Sequence, residues 1–546
     1  MARRQEVRSG DAGGIQVVSA GTVHTMDGAV DEAFAVFGSR ILAVGSRKSL
    51  LDRFPGAQDV GLGAHAVVVP GFNDAHMHPS LVAEERLHLD LSHPRISSKA
   101  DLARAIRDHG ESRSAGQWVR GFGYDPSRST PGEVIDRDFL DTHCPDVPVL
   151  VIEVSCHWGI ANSQALRLAG WSRESEDPQG GSFGRDGSGN LNGIVYEQAL
   201  FDLAYPALAR GRTLIPESSL EDRLQSLRQV LSEFHAAGLT SVGDALAYPG
   251  AIELYQEAER RRELTMRVGM LVAYPYIENL RGLRIQPGFG SEQLRINGVK
   301  AFVDGAVGGR TCLLEEPFEG SDDHGQQVIS AEALDELALT AQTAGMRLAV
   351  HANGDRAISL LLDSFERAAL EVPRPGLRHR IEHCTLITPE ILERMQRLDL
   401  IAVPFGSYVA VHGEKLLGWY GPERLERMFP HRSLLDAGIT VAGSSDYTCA
   451  PFEPLLGIQS CVTRQTLDGL SLGASQSITP YEALWIYTVG SAIATGEAQV
   501  KGRIAPGYLA DVTVLGADPL EVEPSEISSI PVLDTWVGGR TVLGDG

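Results

Sequence analysis

Four histidines, one aspartate and one lysine sit where they could do chemistry together. His76 and His78 stand two apart in "DAHMH"; His351 closes "LAVH", His383 closes "HRIEH", Asp446 closes "TVAGSSD", and Lys300 lies within "NGVKAFVDG". Each falls at or just past the end of an apolar run and just before a polar or glycine-containing loop. Neutral imidazole and carboxylate are the nitrogen and oxygen ligands of Zn²⁺ and similar divalent ions. One HxH pair is a weak signal. The same residue types recurring at successive run ends are a strong one.

Lys300 fits this set poorly at first. Val299, Ala301 and Val303 alternate with Lys300, Phe302 and Asp304, the two-residue period of a strand. The lysine therefore shares an inward face with Phe302. An ammonium would repel a metal ion. A deprotonated buried amine, however, can add CO2 and become a carbamate, which is anionic and offers two oxygens. Such a group can bridge two metals about 3.5–4 Å apart. The plainer alternative is a lysine paired with Asp304, and Asp304 itself reads either as a turn residue before Gly305 or as a residue with a catalytic role.

The elements around these residues alternate. Apolar runs of strand length, such as "GLTSVGDALA", "MRVGMLVAY", "MRLAVHANGD" and "LIAVPFGSY", alternate with helical stretches such as "AIELYQEAERRREL" and "RAISLLLDSFERAALE". That alternation means parallel strands with crossover helices. Counting from "VVPGFNDAHMH" gives about eight strands, so a (β/α)8 TIM-like barrel over residues 70–499 is expected, with catalytic groups at the C-terminal strand ends. An open α/β sheet is the alternative. The count works only if residues 84–214, too long for an ordinary loop, form an inserted subdomain near the barrel mouth. Residues 15–69 and 500–546 read as short strands and are expected to form one small β-sandwich domain from both chain ends. Residues 1–14 read as a flexible tail.

Composition sets outer limits. Of 546 residues, 43% are hydrophobic and 22% charged, ordinary for a globular protein. The formal charge of −23 argues against nucleic acid or an anionic membrane as a partner. No apolar run reaches the ~18 residues of a membrane span, and the six cysteines are scattered without a CxxC pair. A cytoplasmic location and a small-molecule substrate are expected, and a homodimer is compatible with the sequence.

Eight stretches together resemble the amidohydrolase superfamily, and within it the YtcJ-like branch (amidohydrolase family 3) that includes N-substituted formamide deformylases. They are "VVVPGFNDAHMHPS", "HWGIANSQALRLAG", "GLTSVGDA", "VKAFVDGAVGGRT", "VHANGDRAI", "HRIEHC", "GPERLERMFPHRSLLDAGITVAGSSD" and "GRIAPGYLADVTVL". The resemblance implies two divalent ions, with zinc the expected metal. It implies that His76, His78 and Asp446 hold the more buried ion and that His351 and His383 hold the other. It also implies that Lys300, carboxylated by CO2, bridges the two. A bridging metal-bound hydroxide would attack a scissile carbonyl, and Asp446 would carry its proton to the leaving amine. The implied activity is hydrolysis of a C–N bond in an amide, N-formyl amine or carbamate. An ester or lactone hydrolase with the same site is the alternative; a mononuclear deaminase and a non-catalytic scaffold are further ones. The chain departs from the family pattern at Val403, where a Gln is common, and at Cys156, where a Gly is common.

Other residues are candidates for substrate contact. His157, in the insertion, reads as a core histidine or as a donor to an oxyanion. Arg310 and Thr311 follow a glycine-rich loop at a strand end. Tyr408, His412, Trp419 and Tyr420 follow the seventh strand and either line an apolar or aromatic substrate pocket or pack their own loop. Glu382, adjacent to His383 on a strand, is expected to point away from the barrel axis as a structural partner. Cys312, Cys384 and Cys449 read as small buried hydrophobes. "GAVGG" lacks the GK[ST] that would make it a phosphate loop.

Overall fold

The computed structural model describes residues 14–113, 116–211 and 213–543. The expected tail lies outside them except for Gly14.

Eight strands run parallel in sequence order: β1 (Phe72–Met77), β2 (Leu239–Ala247), β3 (Arg267–Ala273), β4 (Leu294–Phe302), β5 (Leu348–Ala352), β6 (Arg380–His383), β7 (Ile401–Val403) and β8 (Thr440–Val441). A two-residue strand, Phe289–Gly290, adds to β4 antiparallel. The eight curl into a TIM-like barrel. Its seam is closed by backbone bonds from Ala75 N to Gly443 O (3.0 Å) and from Asp446 N to His76 O (2.9 Å). Those two bonds place the start and end of the barrel side by side, and with them His76 and Asp446.

The strands are buried on both faces, as parallel strands under helices must be; β5 is buried at every residue. The covering helices show why they form. Helix Asp355–Glu371 buries Ala357, Ile358, Leu361, Leu362, Phe365 and Ala368, the 3–4 residue spacing of one helix face. On β4 the alternation sorts side chains as the sequence indicates: Val299, Ala301 and Val303 join the large apolar core, while Lys300 and Phe302 face the barrel mouth.

Residues between β1 and β2 carry a six-stranded sheet from Leu89 to Glu197, ordered Gly181–Arg185, Leu191–Glu197, Trp158–Ala161, Val149–Glu153, Val119–Tyr124, Leu89–Asp90. One of its apolar clusters, with Leu150, Phe183, Leu200 and Phe201, continues onto Ala273 and Phe302 at the ends of β3 and β4. This sheet therefore packs on the barrel mouth. Both chain ends share another sheet. Its eight strands are joined by hydrogen bonds, with Val67–Pro70 antiparallel to Val512–Leu515. Successive residues there serve opposite faces: Val17, Ala33 and Ala35 pack beneath helix Arg47–Arg53, and Val18, Phe34 and Val36 pack with Val512 and Trp536. No helix among the described residues is long and apolar enough to cross a membrane.

Candidate metal centre

His76 lies in β1, and its ring is oriented by two buried charges from β6. Arg380 Nε and Nη2 each donate to Glu382 at 2.7 Å. The Glu382 carboxylate in turn accepts the His76 Nδ1–H. Arg380 also donates to Ala75 O at 3.0 Å. With Nδ1 committed as a donor, His76 Nε2 keeps a lone pair, the usual arrangement of a carboxylate-backed metal histidine. Glu382 therefore points inward, not away from the axis. The strand's alternation ends where His383 adopts φ +69°, so both neighbours face the interior. Burial would raise the Glu382 carboxyl, but the Arg380 charge and His76 hold it well below its usual range.

His76 Nε2 is 3.4 Å and His78 Nε2 3.1 Å from Asp446 Oδ1. A tetrahedral ion with bonds of about 2.0–2.1 Å has ligand-to-ligand edges of roughly 3.3–3.4 Å, so both edges from Asp446 stand near the separations one ion needs, and all three ligand atoms lie within 4.8 Å of one another. The His78 Nδ1 and His383 Nδ1 atoms are buried without hydrogen-bond partners. Burial, then the Lys300 charge, lowers His76 to about 4, and burial drives His351 and His383 well below their ordinary value. All three are neutral imidazoles, the form that binds metal. Asp446 is anionic: burial raises its carboxyl, but the His78 hydrogen bond and its polar neighbours, Lys300 among them, bring it to about 2. The donor set fits a divalent ion.

Lys300 is 1% exposed, with Nζ 3.2 Å from His76 Nε2. Burial lowers its ammonium from 10.5 to about 8, against the pull of Glu382 and Asp446. Asp304 is not its partner. That carboxylate accepts backbone N–H groups of Leu313 (2.9 Å), Asn353 (3.0 Å) and Gly354 (2.9 Å) and so clamps two loops. His351 and His383 complete the cluster, their ring centroids 4.6 Å apart and His383 4.7 Å from His76. His351 Nε2 lies 3.0 Å from Gly305 O and 2.9 Å from Asn353 Nδ2, so Nε2 is engaged by protein groups and Nδ1 is the nitrogen left for a metal. His383 stacks on Phe405 at 4.4 Å.

All six residues line one cavity, together with His157, Phe201, Tyr205, Phe302, Cys156 and Cys449. His157 reaches it from the inserted sheet, 5.0 Å from His351 between ring centroids. Its Nδ1 is held by Glu197 Oε2 at 2.7 Å, leaving Nε2 for a ligand. Burial opposes charge on His157, yet Glu197 raises its pKa overall.

The other expected contacts fall elsewhere. Thr311 lies one layer behind the wall: Oγ1 donates to Glu197 Oε1 (3.1 Å) and accepts from Ala306 N (2.9 Å). Gly305 passes so close to Thr311 and Glu197 that any Cβ would collide with both. Arg310 bonds Ser321 Oγ at 2.9 Å and lies over the Phe318 ring, away from the cavity. Tyr408 and Trp419 belong to a helical segment, Tyr408–Leu425, that bends at Gly421 (φ +73°). Tyr408 packs on Phe405, His412 and Phe429, Tyr420 on Phe318, and Trp419 under Lys415. Helical periodicity turns these aromatics into their own core, so the cavity's aromatic wall is Phe201, Tyr205 and Phe302 instead. Glu197, which escapes sequence reading, sits at φ +49° between a strand and a helix; nothing periodic marks it.

Residues 65–543 match the amidohydrolase family (Amidohydro_3). The chain belongs to that family. This amidohydrolase-family chain is 31% identical to the YtcJ protein of Bacillus subtilis (strain 168) over 535 residues, 96% of the chain and 98% of that protein. It is also 31% identical to the N-substituted formamide deformylase of Arthrobacter pascens over 523 residues, 93% and 94% of the two. In fold it is similar to an uncharacterized metal-dependent hydrolase from Pyrococcus horikoshii OT3, with a TM-score of 0.74, 24% identity and coverage of 93% and 99%.

The Arg380–Glu382–His76 relay gives a direct expectation. Glu382→Gln keeps the shape but weakens the acceptor that fixes His76, so metal affinity falls about 10- to 100-fold. Competition against a chromogenic chelator measures it.

Proposed function

We propose that this amidohydrolase-family protein is a metal-dependent hydrolase that cleaves the C–N bond of a small amide, N-formyl amine or carbamate with an apolar or aromatic group. The observation that supports it best is the convergence of His76, His78, Lys300, His351, His383 and Asp446 on one cavity, with ligand atoms of His76, His78 and Asp446 within 4.8 Å of one another.

His76, His78 and Asp446 would hold one ion and His351 and His383 a second, with Lys300, carboxylated on Nζ, as a further anionic ligand. Bound there, such ions polarise a carbonyl and bring the pKa of water toward about 7. Asp446 Oδ1 faces both imidazoles, so Oδ2 is the atom that takes a proton from the attacking water and returns it to the leaving nitrogen, a general base followed by a general acid. The acyl carbon gains the water oxygen, the C–N bond breaks, and the amine leaves protonated. His157, whose charged form Glu197 favours, donates as an imidazolium from Nε2 to the carbonyl oxygen as negative charge develops there. Leu81, Phe201, Leu246 and Phe302 form the apolar wall, and the inserted sheet keeps bulk water off the reaction.

The reading is tested by incubating zinc-loaded protein with hydrophobic amides, N-formyl amines, carbamates and matched lactones. Release of free amine is the expected result. Turnover of lactones alone would reject C–N hydrolysis.

A further inference from the structure

A second cavity adjoins the metal centre. Its wall shares His78, Leu81, Tyr205 and Leu246 with the first and then continues to Glu84 and Arg120. Arg120 comes from the inserted sheet, on strand Val119–Tyr124. It is 3% exposed, and its Nε is buried without a hydrogen-bond partner. The carboxylate paired with it is that of Glu84, with Oε1 at 3.7 Å from Nη1, too far for a hydrogen bond.

The acidic groups nearby are already engaged. Glu84 accepts from His88 Nε2 (2.9 Å), Ser218 N (3.1 Å) and Ser218 Oγ (3.0 Å). Glu217 is taken by Arg223 and Tyr248, and Asp244 by Tyr255 Oη (2.6 Å) and Ser80 N (3.3 Å). Glu85, whose Oε2 has no partner, is pushed up to about 7 by burial, against the charges of Arg120 and His78. The Tyr205 hydroxyl, common to both cavities, also lacks a partner. Burying a guanidinium with its donors unused is strongly unfavourable, and such groups are normally paired or coordinated. Here Arg120, its Nε unused, lines a cavity that shares His78, Leu81, Tyr205 and Leu246 with the cavity of the metal ligands.

We propose that Arg120 is a substrate-binding residue that receives a carboxylate, so that the substrate is an acylated amine carrying a carboxylate beyond its apolar part. This rests on the C–N hydrolase reading. The scissile amide lies at the ligand cluster, the apolar part runs over Leu81 and Leu246, and the carboxylate meets the guanidinium fork, whose geometry suits two parallel hydrogen bonds. The Tyr205 hydroxyl supplies a further donor.

4-(2-Formamidoethyl)benzoate and N-formyl-phenethylamine differ only by the carboxylate at the far end of the ring, and they test the proposal on zinc-loaded protein. The wild type should favour the carboxylate probe in kcat/KM by about 10²-fold, because a site built for a polar group rejects the analogue lacking it. Arg120→Gln should remove that preference while leaving the neutral probe within about threefold, and Arg120→Lys, which keeps charge but not the fork, should fall between. Thermal melting checks that each variant folds, and Arg120→Lys serves if Arg120→Gln does not. A wild type that prefers the neutral probe, or variants that lower both probes equally, would overturn the proposal. Calorimetric binding of 4-(2-formamidoethyl)benzoate separates the two readings. If neither probe is cleaved but binding weakens in the Arg120 variants, the carboxylate site stands and C–N hydrolysis fails. If neither is cleaved and binding is unchanged, the carboxylate site fails.

Discussion

Asp446→Asn is expected to lower kcat by about 10³- to 10⁴-fold while the protein melts as a folded domain. The amide keeps an oxygen that can stand where Oδ1 faces His76 and His78, but it has no basic oxygen to take a proton. In the native chain the carboxylate is anionic in spite of burial, because His78 hydrogen-bonds to it and the surrounding positive groups favour its charge. Asparagine removes both that charge and the proton carrier. Steady-state kinetics on the best amide or N-formyl amine, with metal content measured on the same samples, read the effect. Full metal occupancy with full activity would remove Asp446 from the reaction.

Lys300→Met should cost on the order of 10³-fold in kcat, the scale of losing a principal electrostatic group in a water-excluded site, together with about half of the bound metal. Methionine preserves an unbranched apolar stem in a position that is almost wholly buried, so packing is largely kept. What disappears is the amine that can carry CO2. A purely structural lysine would give a different result. It would lower melting temperature without changing the ratio of metal to protein. The surroundings leave little for such a role, since Asp304, the nearest carboxylate in sequence, spends its oxygens on three backbone N–H groups.

The barrel and the positions that bring the six candidate ligands to one cavity are readable because they follow periodic rules. Alternating apolar runs and helical stretches give eight parallel strands, and inward and outward residues on β4 sort by the two-residue period. His76, His78, Lys300, His351, His383 and Asp446 all stand at strand ends for that reason. The parts that escaped depend on non-periodic backbone. The two-residue period carried through His383 points Glu382 outward, but the φ of +69° at His383 breaks that period. Glu197 lies on a φ +49° corner that no pattern announces. The aromatics from Tyr408 to Tyr420 look like a pocket in one dimension, but helical spacing turns them toward Phe318, Phe405 and Phe429. One departure from the family does become intelligible. Cys156 has φ +62°, a conformation that glycine adopts without strain, so the glycine common in relatives suits that backbone and the cysteine here adds a side chain to the cavity wall. Arg120, by contrast, draws no notice in the sequence; its buried Nε without a partner in three dimensions is what singles it out.

The central claim is a two-ion centre bridged by Lys300, and elemental analysis of the purified chain tests it most directly. About two divalent ions per chain are predicted, falling to about one in Lys300→Met. One ion per chain in both proteins, or hydrolysis that persists after complete removal of metal by a chelator, would contradict the account.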